Sequence, residues 1–151
     1  MAKITILCEK RTKPKSVTTN CLVTAPLYMY QQEVLPSADE FFMTAIWDTG
    51  ATASAISSSV VEFLGLSPTG NKELISSANG IYESDTYLVD LYLSEDIVFK
   101  DLLVTEIPKD SRLLVIVGLD VILQSDFLIE STDDSFTLEF SYPPERNRKQ
   151  E

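Results

Sequence analysis

Ala45-Ile46-Trp47-Asp48-Thr49-Gly50-Ala51-Thr52 is the stretch on which the reading of this chain turns. An apolar run drives into an acid, then a small hydroxyl residue, then glycine, then more small residues. An aspartate placed at the end of a buried strand pays a desolvation cost. The cost is tolerable if backbone N–H groups and hydroxyls approach its oxygens. Gly50 lets the backbone come close because it has no Cβ. Thr49 offers a hydroxyl able to reach a neighbouring chain. Ala51 and Thr52 keep the space around the carboxylate small, and Thr52 is a donor candidate for its outer oxygen. A plain Asp-x-Gly turn after a strand is the competing explanation, and such turns are common.

Outward from this run, the chain reads as strands. Phe41–Trp47 is a continuous apolar run, expected as a strand buried on both faces. Ser58–Leu64, with Val60, Val61 and Leu64 apolar and Gly65 after them, predicts a short helix with a glycine stop. Glu73–Ser77 and Tyr82–Leu93 predict two strands joined by a turn at Asn79-Gly80. Ile97–Ile107 is a strand pair or one long strand. Leu113–Val117 is a pure aliphatic run ending at Gly118, and Leu119–Ser125 has the length of a short helix. Phe127–Glu130 and Ser135–Tyr142 predict a last hairpin around Asp133-Asp134. Upstream, Lys3–Cys8 reads as a strand, Glu9–Lys15 as a turn, Val17–Tyr30 as one long or two short strands, and Gln31–Ala38 as a loop. The expected organisation is residues 1–40 as added strands, 41–142 as the body of the domain, and 143–151 as a disordered charged tail.

Composition narrows the chemistry. The chain has 151 residues, of which 44% are apolar, enough for one domain with a real core. Its net charge is −11, which argues against nucleic acid or an anionic membrane as partner, since phosphate binding needs a positive footprint. No segment is long enough to span a bilayer as a helix, and the start lacks the pattern of a secretory signal. There is no histidine, so Ser-His-Asp and Cys-His nucleophile systems and histidine zinc sites are removed. Cys8 and Cys21 are too few for a disulfide framework or a thiolate metal site. They read as strand residues of a reducing compartment, with a Cys8–Cys21 bridge left open. A cytoplasmic protein with neither metal nor cofactor is the expectation.

Three elements stand in order: the Asp48-Thr49-Gly50 loop followed by a helix that opens on Ser57-Ser58-Ser59; a glycine-containing hairpin, Ala78-Asn79-Gly80-Ile81; and Leu113–Val117 running into Gly118-Leu119-Asp120-Val121. Together they resemble the pepsin and retropepsin aspartic proteases, in particular stand-alone retropepsin-like members, over Phe41 to Tyr142. The resemblance implies an all-β closed barrel with one or two short helices. It makes Asp48, Thr49 and Gly50 catalytic residues, and places Ala51, Thr52, Asn79, Gly80 and Ile81 against substrate, the last three in a flap. It implies an aspartic endopeptidase acting on a peptide or protein. Because the chain has the tripeptide once, it also implies a homodimer that brings two Asp48 side chains together. A retropepsin-fold scaffold that has lost turnover is the alternative, since fold does not imply function. Trp47, bulkier than the aliphatic residue usual there, is expected to pack in the core. Asp120 is expected to cap a helix or pair with Arg112, and Asp126 to sit in a turn or cap.

Overall fold

The computed structural model describes residues 2–26 and 35–145. Among these residues ten strands and two short α-helices follow one another: β1 (Ala2–Glu9), β2 (Val17–Thr24), β3 (Met43–Trp47), β4 (Ala55–Ser57), α1 (Ser58–Leu64), β5 (Lys72–Ser77), β6 (Gly80–Ser94), β7 (Ile97–Ile107), β8 (Leu114–Val117), α2 (Leu119–Ile122), β9 (Asp126–Ser131) and β10 (Ser135–Tyr142). Seven of the strands form one sheet in the order β2-β3-β8-β4-β7-β6-β5, and a further β2–β6 pairing brings it back on itself as a barrel. The other three form a sheet in the order β1-β10-β9. This is the mainly β architecture with two short helices that the sequence predicts.

The barrel has one feature that decides everything around Asp48. Strands β3 and β4 follow each other in the chain, yet they are not neighbours. Strand β8 lies between them, parallel to β3 through Trp47↔Val117 and antiparallel to β4 through Ala55↔Ile116. The segment joining β3 to β4 must therefore cross the end of β8. Asp48 follows Trp47, and Gly118 follows Val117, so the two emerge side by side from paired strands.

The two sheets are held together by aromatic packing. Trp47 stacks on Phe127 at 6.2 Å and meets Phe140 at 5.0 Å. Phe99 meets Phe140 at 6.4 Å and Tyr142 at 4.8 Å. Trp47 is thus a core residue, as expected, and its indole N–H donates to Thr19 Oγ1 at 3.0 Å. Aromatic pairs at such separations add to the area they bury. Met43, Ala45, Ile56, Tyr92, Val115 and Val117 complete the barrel interior.

Most boundaries match the sequence reading, and the departures have causes. Strand β3 starts at Met43 and alternates, with Met43, Ala45 and Trp47 buried and Thr44 exposed. The expectation of burial on both faces is corrected: a barrel wall has one inner face, and the single polar Thr44 marks the outer one. The hairpin turns at Ala78-Asn79, one residue earlier than predicted, with Ser77 opposite Gly80. Gly80 takes φ +117, a conformation that a side chain resists. Ile97–Ile107 is one strand rather than a pair, interrupted at Asp101, whose φ is +52. The buried Asp90 carboxylate accepts from Asp101 N–H at 2.9 Å there. Cys8 and Cys21 are free thiols, so the bridge left open is not made. Asp126 begins β9 and accepts from Glu145 N–H at 2.6 Å. The predicted strand at 27–30, the loop at 31–34 and the tail beyond 145 lie outside the described residues.

Candidate active site

The loop between β3 and β4 is built from backbone upward. Asp48 N–H donates to Val117 carbonyl at 3.0 Å, and Ala51 N–H returns to Asp48 carbonyl at 3.2 Å. The carboxylate folds back onto its own loop: Gly50 N–H donates to Asp48 Oδ1 at 2.8 Å. A Cβ at Gly50 would stand 3.1 Å from that oxygen, so glycine permits the closeness of this contact. Asp48 Oδ2 has no partner among the described residues. The side chain is half-buried, while Thr49 and Gly50 are exposed.

Gly118 is demanded by sterics rather than by backbone conformation. Its φ of −95 suits any residue. A Cβ there would lie 2.8 Å from Ala53 C and 2.9 Å from the carbonyl oxygens of Ala51 and Ala53. The crossing loop runs so close over the end of β8 that no side chain fits. The first residues of α2 then bond to the loop: Leu119 N–H to Ala51 carbonyl at 2.8 Å and Asp120 N–H to Thr52 carbonyl at 3.3 Å.

A polar hub that sequence reasoning missed lies beneath this crossing. Ser54 is fully buried. Its N–H donates to Asp120 Oδ2 at 2.9 Å, and its hydroxyl donates to Asp120 Oδ1 at 2.7 Å. The same hydroxyl oxygen accepts from Gly118 N–H at 3.0 Å. Val121 N–H adds a bond to Asp120 Oδ1 at 2.9 Å. Asp120 is therefore neither a helix cap nor a partner of Arg112. It is a fork that ties the two segments of the site into one body. Arg112 pairs instead with Asp110, whose carboxyl is held below its usual range by those hydrogen bonds. The three serines of the helix start serve the same stitching. Ser57 hydroxyl donates to Arg112 carbonyl and accepts from Leu114 N–H, and Ser59 hydroxyl donates to Asp110 carbonyl at 2.8 Å.

The structure thus brings Asp48, Thr49, Gly50, Ala51 and Thr52 together with Gly118, Leu119 and Asp120. The expected donation from Thr52 to the carboxylate is not made. Thr52 side chain is exposed, and its carbonyl is used by Asp120. Asn79, Gly80 and Ile81 lie apart, at the tip of the β5–β6 hairpin. All three are exposed, and no hydrogen bond among the described residues links the tip to the Asp48 loop. The hairpin presents apolar side chains to solvent, with Leu74 76% and Ile81 73% exposed. The register puts both on one face, since Leu74 and Ser76 share a side and Ser76 faces Ile81.

A strand-loop-strand thus wraps over an inserted strand that ends in Val117-Gly118, with Asp48 at its apex. The aspartyl protease family model matches residues 39–121, from just before β3 to α2. The chain belongs to the aspartyl protease family. In structure it is similar to a retropepsin-like aspartic protease from Rickettsia conorii, with a TM-score of 0.56 and 14% identity over 92% of each chain. At that identity the likeness speaks for the fold, which is retropepsin-like. No curated protein matches the chain by sequence. Among the described residues no helix is long and apolar enough to cross a membrane.

Proposed function

We propose that this aspartyl protease family member is an endopeptidase whose nucleophile is a water held between two Asp48 carboxylates, one from each of two copies of the chain. One observation carries the reading. Asp48 stands at the apex of a stitched loop with Oδ1 fixed by Gly50 N–H and Oδ2 left for another partner. One such carboxylate makes half a site. A two-fold axis passing beside Asp48 would supply the other half, with the same surface used on both copies.

Two carboxylates this close resist ionising together, so the pair would share one proton over a window of pH. The ionised member would take a proton from the water, and the protonated member would polarise the scissile carbonyl. Water attack would give a tetrahedral gem-diol with no covalent enzyme intermediate. In this reading Thr49, exposed beside the axis, bonds to the other copy. Ala51 and Thr52 lie along the extended peptide. Asn79, Gly80 and Ile81 close over it as a lid, excluding bulk water and pairing with its backbone. A cytoplasmic location is proposed separately, from the two cysteines left as free thiols, and fractionation checks it.

The experiment is cleavage of a random peptide library from acidic to neutral pH by the native chain and by Asp48→Asn. The amide is close to isosteric, so the variant is expected to keep fold and association and to lose at least a thousandfold in turnover. That loss corresponds to about 4 kcal/mol of transition-state stabilisation. A statine-type peptide, whose hydroxyl occupies the place of the attacking water, is expected to inhibit. Undiminished cleavage by Asp48→Asn would overturn the reading.

A further inference from the structure

We propose that Asn79-Gly80 is a self-modifying site: Asn79 loses its side-chain amide nitrogen as ammonia and becomes isoaspartate, which distorts the tip of the β5–β6 hairpin. The chemical step stands apart from the proposed function, and only its consequence for peptide cleavage rests on that reading.

The sequence singles the site out. The chain has four asparagines, Asn20, Asn71, Asn79 and Asn147, and only Asn79 precedes a glycine. The others precede Cys21, Lys72 and Arg148. Asparagine is a thermolabile residue, because its side-chain carbonyl carbon lies within reach of the next backbone nitrogen. A side chain on that next residue crowds the approach, and glycine has none.

The structure leaves the step unobstructed. Asn79 and Gly80 are exposed, and a Cβ at Gly80 would meet nothing within 4 Å. The side-chain amide of Asn79 has no hydrogen-bond partner among the described residues. Its backbone N–H donates to Ser77 Oγ at 3.3 Å, and that hydroxyl donates to Gly80 carbonyl at 3.2 Å. Ring closure needs the Asn79–Gly80 peptide to rotate, and a tip carried by one ladder opens more readily than a strand inside a sheet. The other two described asparagines are held more firmly. Asn20 lies within the β2–β3 ladder, opposite Thr44. Asn71 accepts from Thr86 hydroxyl at 2.9 Å through its carbonyl, and its N–H donates to Thr69 Oγ1 at 3.2 Å.

The step balances without any co-reactant but water. Solvent base takes the Gly80 amide proton, and the nitrogen attacks Asn79 Cγ. The Cγ–Nδ2 bond then breaks, and the departing nitrogen takes up a solvent proton and leaves as ammonia. Water opens the cyclic succinimide that remains. Addition at the Asn79 backbone carbonyl carbon breaks its bond to Gly80 nitrogen, so the chain runs on through Cγ as isoaspartate. Addition at Cγ gives ordinary aspartate instead. Isoaspartate inserts a methylene into the main chain and puts a carboxylate at the tip of a chain already at −11. The closing pair Ser77↔Gly80 then spans a longer turn, and a hairpin's register is set by its turn. Under the proposed function this is the tip that closes over the peptide.

Ageing the full chain in warm, mildly alkaline buffer tests this, read by released ammonia and by fragment masses that distinguish isoaspartate from aspartate. Residue 79 is expected to convert at least tenfold faster than Asn20 or Asn71 while circular dichroism stays β-type. Asn79→Gln, whose longer side chain must close a larger ring, is expected to resist at least tenfold. Amides of the aged hairpin, Lys72–Asp85, are expected to exchange faster than those of the fresh protein. Cleavage by the aged native chain should fall in step with its isoaspartate content, while Asn79→Gln keeps its own starting rate over the same period. An Asn79 that stays an amide, or that converts no faster than Asn71, overturns the site. Isoaspartate that leaves hairpin exchange unchanged overturns the distortion. Isoaspartate at 79 in a chain that cleaves no peptide keeps the modification and removes the proposed activity. An Asp48-dependent peptidase whose Asn79 never converts does the reverse.

Discussion

The Asp48 loop and the β5–β6 hairpin are built on opposite plans. The loop is short, yet it is tied across the chain from residues 48–54 to residues 117–121 by backbone bonds, a buried serine and a carboxylate fork. The hairpin is longer, but beyond its root it is held by a single ladder, with β5 paired to β6 alone and its residues exposed or half-exposed. Local opening free energies follow such differences in buried contacts and exposed hydrogen bonds. The contrast suggests a division of labour. Under the proposed function, groups that must keep their geometry would sit where two distant segments lock together, and groups that must admit a ligand where only one ladder needs to bend.

The strongest way to break the locked half is Gly118→Ala. The added Cβ would meet backbone atoms of Ala51 and Ala53 at 2.8–2.9 Å, and backbone cannot rotate away as a side chain can. A cost of about 3 kcal/mol is expected, on the scale of overpacking at a tight site. Thermal unfolding should show this as a drop of roughly 6–12 °C for a chain of this size. Ser54→Ala is the next test. It leaves Gly118 N–H buried without its acceptor and takes one donor from Asp120, a loss of about 1–3 kcal/mol. Ser54→Thr should recover part of that loss, because the hydroxyl returns.

These two positions also mark what was legible in the sequence. The elements were: α1 starts and stops at Ser58 and Leu64 as predicted, with Gly65 in the left-handed conformation after it. Asp48 and Gly118 stood out because each ends an apolar run and, with the glycine hairpin between them, they follow the order of the motifs that carry the resemblance. Ser54 and Asp120 did not. Serine in Ala-Ser-Ala carries no pattern, and its meaning comes only from a partner 66 residues away. The inserted position of β8 is beyond periodicity, which reports a strand and not its neighbours. The one-residue shift of the hairpin turn has a local cause. Of Asn79 and Gly80, only Gly80 adopts positive φ, so the tight turn forms just before the glycine rather than around it.

Gly80→Val addresses the bendable half. A branched side chain at φ +117 is strained by about 1–3 kcal/mol. Because the hairpin tip touches little else, most of that strain should appear as local distortion. The melting temperature is expected to move by only a few degrees, while amides of Lys72–Asp85 exchange faster. In the native chain those amides should already exchange faster than Leu114–Val117. If peptide cleavage is established, the variant should lower it about tenfold. Equal protection of the two regions would remove the distinction between a locked half and a bendable one.

The smallest effect expected is also the one that reads the junction between the two plans. Tyr87 lies in β6 where the hairpin joins the barrel, and its hydroxyl donates to Glu106 Oε2 at 3.3 Å. Burial, with help from the nearby Glu106 and Asp85 carboxylates, pushes its pKa from 10.0 up to about 12. Burial alone pushes the Cys21 thiol, inside the barrel, from 9.0 up to about 12. For both groups the folded state holds its proton at pH values where the unfolded chain has released it. Stability from these groups is therefore complete below pH 9 and is lost as pH rises from about 9 to 12. Tyr87→Phe should flatten the upper part of that decline, and Cys21→Val should flatten its start. The two differ in where they act. Ionising Tyr87 beside Glu106 sets like charges at the root of the hairpin, so as pH approaches about 12 local opening should rise first in β5 and β6. Ionising Cys21 should instead lower the unfolding midpoint of the whole barrel. A decline that ignores both substitutions would mean that the alkaline limb belongs to other groups, and that the junction does not titrate as its burial implies.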